Sequence, residues 1–323
     1  MKAIQIQKTG AAEVLQIQDL LQPKPGPDEA LIHLKAAGIN FIDILMRSGS
    51  RATPLPVPFI PGLEGAGVVE AIGANVTEVK VGDRVAYTGK IGSYAEYNVV
   101  KAQQLILLPD AMSFEQGAAL PLQGMTAHYL THDFYPITAG SSVLIHAAAG
   151  GVGLLVVQWL KHLGANNIGT VSTEEKAKFA RDAGAEHIIF YTRQDFVEEV
   201  KKLTNGVGVD YIIDGVGKST FMKDLEAARI RGWICLFGMS SGAVDPFLPN
   251  LLQPHSLTIS GGMLTNHIHT REELIRRSNA VFKGIQEGWL KFKIDHVYPL
   301  AEAAAAHQAV EDRKTSGKVI LKI

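Results

Sequence analysis

The chain has 323 residues, 46% of them hydrophobic, with 31 Lys and Arg against 32 Asp and Glu and a formal net charge of −1. That length suits one very large domain or two ordinary ones, and the near-neutral balance gives no electrostatic reason to expect nucleic acid or an anionic membrane as a partner. A single cysteine, Cys235, excludes an intramolecular disulfide and any multi-cysteine metal site.

Residues 1–7 lack the apolar core of a secretory leader, and no stretch approaches the roughly 20 apolar residues of a membrane span, so a cytoplasmic location and no membrane partner are expected. From the start to about residue 120 the chain reads as β-rich. Short apolar or alternating runs fall at 3–6, 15–17, 30–36, 67–72, 84–87, 94–100 and 105–108, separated by turn chemistry such as Pro23-Lys24-Pro25-Gly26-Pro27 and Val81-Gly82-Asp83. Such even spacing predicts a small barrel-like β domain. Pro54, Pro56, Pro58 and Pro61 mark a stiff loop leading into Gly62-Leu63-Glu64-Gly65.

From about residue 122 the rhythm changes. Apolar strands begin near 143, 168, 187, 210, 233 and 257, with helices expected at 152–163, 174–183, 196–203 and 220–229. A strand-then-helix repeat of this kind marks a doubly wound parallel sheet. Its first turn is the most informative stretch of the chain. Val143 to Ala147 reads as a strand buried on both faces. Ala148-Ala149-Gly150-Gly151-Val152-Gly153 is a tight turn, and a nearly all-apolar helix follows. Glycines let the backbone approach a phosphate closely, and the helix start presents unpaired N–H groups and a positive dipole end to an anion. Gly151 and Gly153 supply a G-x-G whose third glycine is replaced by Val156, and Ala148 and Gly150 give an earlier A-x-G in the same turn. With the repeat behind it, this turn predicts dinucleotide binding. After about 262 the chain leaves the repeat, with a helix from Thr270 to about Gln286, a second over 301–312 and a closing strand over 319–323. This tail is expected to pack on the N-terminal domain.

Four segments carry a family resemblance: Gly38-Ile39-Asn40-Phe41-Ile42-Asp43, Pro61-Gly62-Leu63-Glu64-Gly65-Ala66-Gly67, Gly82-Asp83-Arg84-Val85-Ala86-Tyr87 and Ala147-Ala148-Ala149-Gly150-Gly151-Val152-Gly153. In form and order they resemble the zinc-independent quinone oxidoreductases (zeta-crystallin type) of the medium-chain dehydrogenase/reductase superfamily, over the whole chain. The resemblance implies an α/β fold. A GroES-like β-rich catalytic domain would comprise residues 1–121 and 263–323, and a Rossmann domain with a doubly wound parallel sheet would comprise 122–262. In zinc-dependent relatives a Cys stands at the place of Asn40 and a His at that of Leu63. Asn40 is a poor zinc ligand, Leu63 is none, and Asp43 with Glu64 cannot complete a tetrahedral set, so no metal is expected. His267 and His269, an H-x-H in a loop, read as solvated.

Without a Lewis acid, the acceptor is expected to be electron-poor already, a quinone or a conjugated enone, with its developing oxyanion held by hydrogen-bond donors. By the resemblance Asn40 and Thr126 lie near the nicotinamide as catalytic residues, although Asn40 also suits a turn residue bonding its own backbone. Leu45 and Arg51 take the places of tyrosines that other members carry near the substrate, and Arg51 reads either as a solvated loop residue or as a holder of an acceptor oxygen. The strand end Thr170-Val171-Ser172-Thr173 lacks the acid that NAD-specific folds place on the ribose, which favours NADPH. By the resemblance Ser172, Lys176 and Tyr191 surround the 2′-phosphate and Lys318 adds a contact. A solvated helix face for Lys176 and a solvated strand end for Lys318 stay open. Phe237, Gly238 and Ser240, past the fifth strand, read as cofactor contacts or as a plain connection.

Three functions fit: an NADPH-dependent reductase of quinones or activated alkenes, an enoyl-thioester or 2-alkenal reductase, or a dinucleotide-binding protein with a structural or RNA-binding role. The absence of a basic–aromatic patch argues against RNA as the main partner. A small-molecule substrate and a homodimer are expected, the latter through the apolar edge strand at 257–264.

Overall fold

The computed structural model describes residues 1–50, 54–312 and 314–323. They form two units, one of Met1–Leu122, Ile268–Ser278 and Phe292–Ile323, the other of Gln123–His267 and Asn279–Lys291. Residues 263–267 and 279–291 thus fall in the second unit and residue 122 in the first, whereas the sequence places 263–323 in the first and 122 in the second. For residues 279–291 the physical reason lies in Gln158, whose amide donates to the Lys291 carbonyl and accepts from the Lys291 N–H. Trp289 packs beside it, stacked on His162 with ring centroids 4.0 Å apart.

The first unit is built on a sheet ordered Ile294–Pro299, Lys318–Lys322, Glu29–Ile39, Glu64–Ile72, Arg84–Thr88, Ile106–Leu107, with Tyr97–Lys101 also pairing Glu29–Ile39. Both ends of the sequence meet here, since Val319 pairs with Ile39 in antiparallel register. One buried cluster joins Ile4, Ile6, Ala37, Ile39, Val319 and Leu321. Each such aliphatic side chain contributes about 1.5–3 kcal/mol when removed from water. The helices Phe41–Ser48 and Phe114–Ala119 interrupt the run of strands.

In the second unit six parallel strands lie in the order His187–Phe190, Asn166–Val171, Ser142–Ile145, Val209–Asp214, Ala228–Leu236, Thr258–Gly261. This is the doubly wound order 3-2-1-4-5-6, and it places ligand sites at the carboxyl ends of the strands. The helix Gly151–His162 is buried from Gly153 to Leu160, as its nearly unbroken apolar sequence requires. The fifth strand starts earlier than expected: Ala228 already pairs with Val209, and Tyr211 next pairs with Trp233, so residues 229–232 bulge outward. Arg231 within that bulge sits at φ 59°. Among the described residues no helix is long and apolar enough to cross a membrane.

Candidate functional site

In the second unit the chain leaves the strand Ser142–Ile145 at His146 and turns sharply at Ala147, which holds φ 53°. The Ala148 N–H is tied to the Thr170 carbonyl of the neighbouring strand at 3.1 Å. Gly150 is the N-cap of the helix Gly151–His162, and no side chain caps that helix start. The first-turn N–H groups of Gly151, Val152 and Gly153 thus have no side-chain cap at Gly150, the kind of helix start that can receive an anion. Gly153 is required by space: a Cβ there would stand 2.3 Å from the Ala147 carbonyl oxygen. Gly153→Ala should thus destabilise this unit by about 1–3 kcal/mol through overpacking against backbone. Trp159, Trp233 and Trp289 all lie in the unit, so fluorescence-monitored urea unfolding reads the change directly. An unaltered transition would show that the turn yields freely.

At the next two strand ends, Ser172 and Tyr191 emerge side by side, because Val171 and Phe190 are register partners. Thr173 caps the following helix by accepting from the Lys176 N–H at 3.3 Å, which places Lys176 in its first turn. Tyr191 is 45% exposed. These three expected phosphate contacts share one end of the sheet, and no acid stands at residues 170–173. Phe237 and Gly238 follow the fifth strand and pack on the turn after the fourth: Phe237 N–H donates to the Asp214 carbonyl at 2.9 Å, and Ser240 N–H to the Gly215 carbonyl at 3.3 Å. Thr126 is buried on the helix Pro121–His132. Gln123, from the same helix, was missed by sequence reasoning; its amide lies where a Cβ on Gly151 would go.

In the first unit, Asn40 precedes the helix Phe41–Ser48, and Asp43 reaches back to accept its backbone N–H at 2.8 Å. The Asn40 side chain is only 4% exposed. Its Oδ1 accepts from the Lys318 ammonium at 2.7 Å, and its Nδ2 donates to Glu64 Oε2 at 3.0 Å and to the Gly38 carbonyl at 3.4 Å. An ammonium can meet only an oxygen and a carboxylate only an N–H, so this network fixes the amide orientation without ambiguity. Both amide hydrogens are spent, and the valence Asn40 keeps is an acceptor lone pair.

Lys318 requires a correction. It was read as a phosphate contact or a solvated strand end, yet it is 1% exposed and its ammonium is 2.5 Å from Glu64 Oε2. The strand pairing next to Ile39 draws its stem inward, and Gly38 makes room: a Cβ there would lie 2.6 Å from Lys318 Cε and 2.7 Å from Glu64 Oε2. Glu64 Oε1 also accepts the Leu122 N–H at 2.6 Å.

Behind Asn40 a second chain of polar groups runs inward. Tyr94 Oη donates to Asp43 Oδ2 at 3.3 Å and lies 2.9 Å from His307 Nε2. Arg47 reaches His307 Nδ1 at 3.4 Å and Glu311 at 2.6 Å. Burial, aided by the Arg47 charge, pulls His307 down to about 3, so the imidazole is neutral. Arg47 can only donate, which leaves the ring proton on Nε2 to face Tyr94. Burial pushes Asp43 up to about 7, against the Asn40 hydrogen bond and the Lys318 charge. Leu45 is half-buried on the same helix. Arg51, expected beside it, lies outside the described residues.

The donor set does not fit zinc. Among the described residues no group of three or more His, Cys, Asp and Glu is placed to hold a metal ion. The cation that Asn40 and Glu64 do share is the Lys318 ammonium.

Residues 26–110 match the family described as Alcohol dehydrogenase GroES-like domain, and residues 151–280 match Zinc-binding dehydrogenase. The chain is 42% identical to a quinone oxidoreductase of Pseudomonas aeruginosa over 99% of each chain. It is 39% identical to a 2-haloacrylate reductase of a Burkholderia species, covering 98% of this chain and 97% of that one. The solved quinone oxidoreductase of Escherichia coli, complexed with NADPH, superposes with a TM-score of 0.97 at 40% identity over 100% of each chain. The chain belongs to the quinone oxidoreductase family of the medium-chain dehydrogenase/reductase superfamily.

Proposed function

We propose that this enzyme is an NADPH-dependent reductase of quinones or of other alkenes made electron-poor by a conjugated carbonyl, working in the cytoplasm without a metal ion. The observation that carries the reading is the uncapped turn Gly150–Gly153 at the head of a 3-2-1-4-5-6 sheet with no acid at the end of its second strand. The reduced nicotinamide, when bound, supplies hydride. The chain's own part is to bind and orient. Gly151, Val152 and Gly153 receive the pyrophosphate on backbone N–H groups, while Ala148 and Gly150, whose own N–H groups go to the Thr170 and Ala147 carbonyls, shape the turn beneath it. Ser172, Lys176 and Tyr191 take the 2′-phosphate, and Phe237, Gly238 and Ser240 line the neighbouring strand end.

From the family resemblance we assign a part in the reaction to one residue of each unit. Asn40, its amide hydrogens spent, accepts a hydrogen bond, and the Thr126 hydroxyl gives the donor valence that a developing oxyanion needs. Leu45 offers apolar contact to the acceptor. The relatives named quinone oxidoreductase and 2-haloacrylate reductase act, by those names, on substrates of this electronic class. Metal independence rests on the donor chemistry around Lys318, since an ammonium already compensates Glu64. A homodimer through the sheet edge Thr258–Gly261 is part of the reading, supported by the exposed Leu248, Leu251 and Met263 near that edge in sequence.

The test is an acceptor panel of quinones, enones, 2-haloacrylates and alcohols, followed by nicotinamide absorbance after exhaustive chelation. Turnover of the electron-poor acceptors with NADPH, and far less with NADH, is expected. Lys176→Ala should cost NADPH about 1.5–3 kcal/mol of binding by removing a charge-assisted contact, and leave NADH nearly unaffected. Equal use of both cofactors, or activity only on added zinc, would overturn the reading.

A further inference from the structure

Directly beneath the glycine turn lies a cluster of ionisable groups that the reaction does not use. His146 is 3% exposed, and Asp224 and Asp214 are 0% exposed. His146 Nε2 is 2.8 Å from Asp224 Oδ1, on the helix Phe221–Ala227, and Nδ1 is 3.1 Å from Thr170 Oγ1, on the second strand. Thr170 Oγ1 in turn accepts the N–H of Ala147, the residue that opens the turn in a left-handed conformation. Asp214 ends the fourth strand and organises the next turn, accepting from the Val216 N–H at 2.6 Å, the Gly217 N–H at 3.1 Å and the Thr220 hydroxyl at 2.8 Å. Phe196 closes the remaining side, edge-on to the imidazole at 4.8 Å. Among the described residues, the groups facing the His146–Asp224 pair are Thr170, Phe196 and Asp214.

The hydrogen bonds close only if one extra proton is present. A neutral His146 with its proton on Nε2 donates to Asp224 Oδ1, while Nδ1 accepts the Thr170 hydroxyl and Thr170 accepts Ala147. Asp224 Oδ2 is then left buried without a partner, with the Asp214 carboxylate as its neighbour. A proton on Oδ2 would donate to Asp214 and satisfy the last orphan. Without it, two carboxylates confront each other in the interior, one braced through His146 and Thr170 to the start of the glycine turn, the other holding the 215–217 turn.

We propose that His146 and Asp224 share one proton that, turned toward Asp214, latches the two turns receiving the dinucleotide, so that NADPH binds the protonated pair more tightly than the deprotonated one. This rests on the assignment of NADPH to the Gly150–Gly153 turn. His146 and Asp224 are positioning residues, acting through backbone rather than by touching the ligand. The electrostatics agree with the geometry. Burial pushes Asp224 up to about 7, with the Asp214 charge adding to the rise and His146 opposing it. Burial alone would lower His146, but the Asp224 and Asp214 carboxylates raise it above its ordinary value. The titration steps of the coupled pair belong to the pair and not to either residue alone.

Linkage fixes the sign. If NADPH favours the protonated cluster, its affinity falls as pH rises above about 7, by up to about tenfold per unit, and binding takes up protons. A phosphate monoester completes its ionisation near pH 6, so the ligand itself is silent at pH 8. The experiment measures NADPH affinity by fluorescence from pH 6.5 to 9.5, and proton uptake at pH 8 by calorimetry in two buffers of different ionisation heat. The expected result is a falling alkaline limb with net proton uptake. In Asp224→Asn the carboxamide keeps a permanent N–H toward Asp214 and an oxygen toward His146, so both signals should vanish while NADPH still binds. Binding with a flat wild-type profile, no proton uptake, or the same limb in Asp224→Asn would overturn the latch alone. Should that variant not fold, the wild-type calorimetry decides. Absence of NADPH binding at every pH would instead overturn the cofactor assignment, and the latch with it.

Discussion

Lys318→Met should destabilise the first unit by about 3–5 kcal/mol, the cost of leaving a buried charge without its partner. Glu64 is 0% exposed, and after the substitution the Asn40 amide and the Leu122 N–H are the hydrogen-bond donors left to its carboxylate among the described residues. The measurement is amide hydrogen exchange across the strands Glu64–Ile72 and Lys318–Lys322, which the pair joins. A second substitution separates charge from packing. In Lys318→Met with Glu64→Gln the interior is neutral, and the Asn40 amide, released from the ammonium, can turn its oxygen toward the new glutamine N–H. Most of the loss should therefore return in the double variant, because neutral replacement of a buried pair is far cheaper than its half-removal. A single variant within about 1 kcal/mol of the parent would show that the ion pair is dispensable.

That pair also marks where sequence reasoning stopped. Glu64 and Lys318 are separated by 254 residues and Asn40 and Lys318 by 278, and the pairings of Val319 with Ile39 and of Gly65 with Ala37 bring them together. A lysine after a glycine at the start of a closing strand has no local signal of burial, and the family resemblance suggested a phosphate instead. The Rossmann sheet was legible for the opposite reason. Its central strands hold buried apolar stretches, Val143–Ile145 and Tyr211–Ile213, and the helices Glu174–Ala183 and Phe196–Leu203 carry capping residues, Thr173 and Asp195, at the expected places.

Helices that escaped the sequence did so for physical reasons. Phe41–Ser48 is short and turns Asp43 and Arg47 inward while Phe41 is exposed, so its amphipathic pattern does not point an apolar face at the core as the usual reading expects. Pro121–His132 is buried along most of its length, from Gly124 to Thr131, and a helix buried all round has no polar stripe to reveal it. His146 shows the same limit at the level of a site. In sequence it is one polar letter between an apolar strand and a glycine turn; its partners Thr170 and Asp224 lie 24 and 78 residues away.

Asp43→Asn should invert the usual expectation that removing a buried carboxylate harms a protein. Asp43 is 0% exposed and its Oδ1 has no hydrogen-bond partner among the described residues. Oδ2 takes the Asn40 N–H and the Tyr94 hydroxyl, both of which an asparagine oxygen can also accept. Burial raises the group from 3.8 to about 7 in the folded chain. A carboxyl raised on folding contributes stability that is fully present below the unfolded value, and that stability is lost as pH rises through the folded one. The loss amounts to about 4 kcal/mol between pH 4 and pH 8, at 1.36 kcal/mol per unit. Asparagine mimics the protonated acid and does not titrate. Relative to the parent, Asp43→Asn should therefore gain stability steadily across that window, by up to about 4 kcal/mol at pH 8. Hydrogen exchange in the helix Phe41–Ser48, compared at several pH values after correction for intrinsic rates, reads the difference. A constant gap between parent and variant from pH 4 to 8 would mean that Asp43 is ionised throughout, held by Asn40, Tyr94 and the nearby Lys318 charge more firmly than its burial opposes.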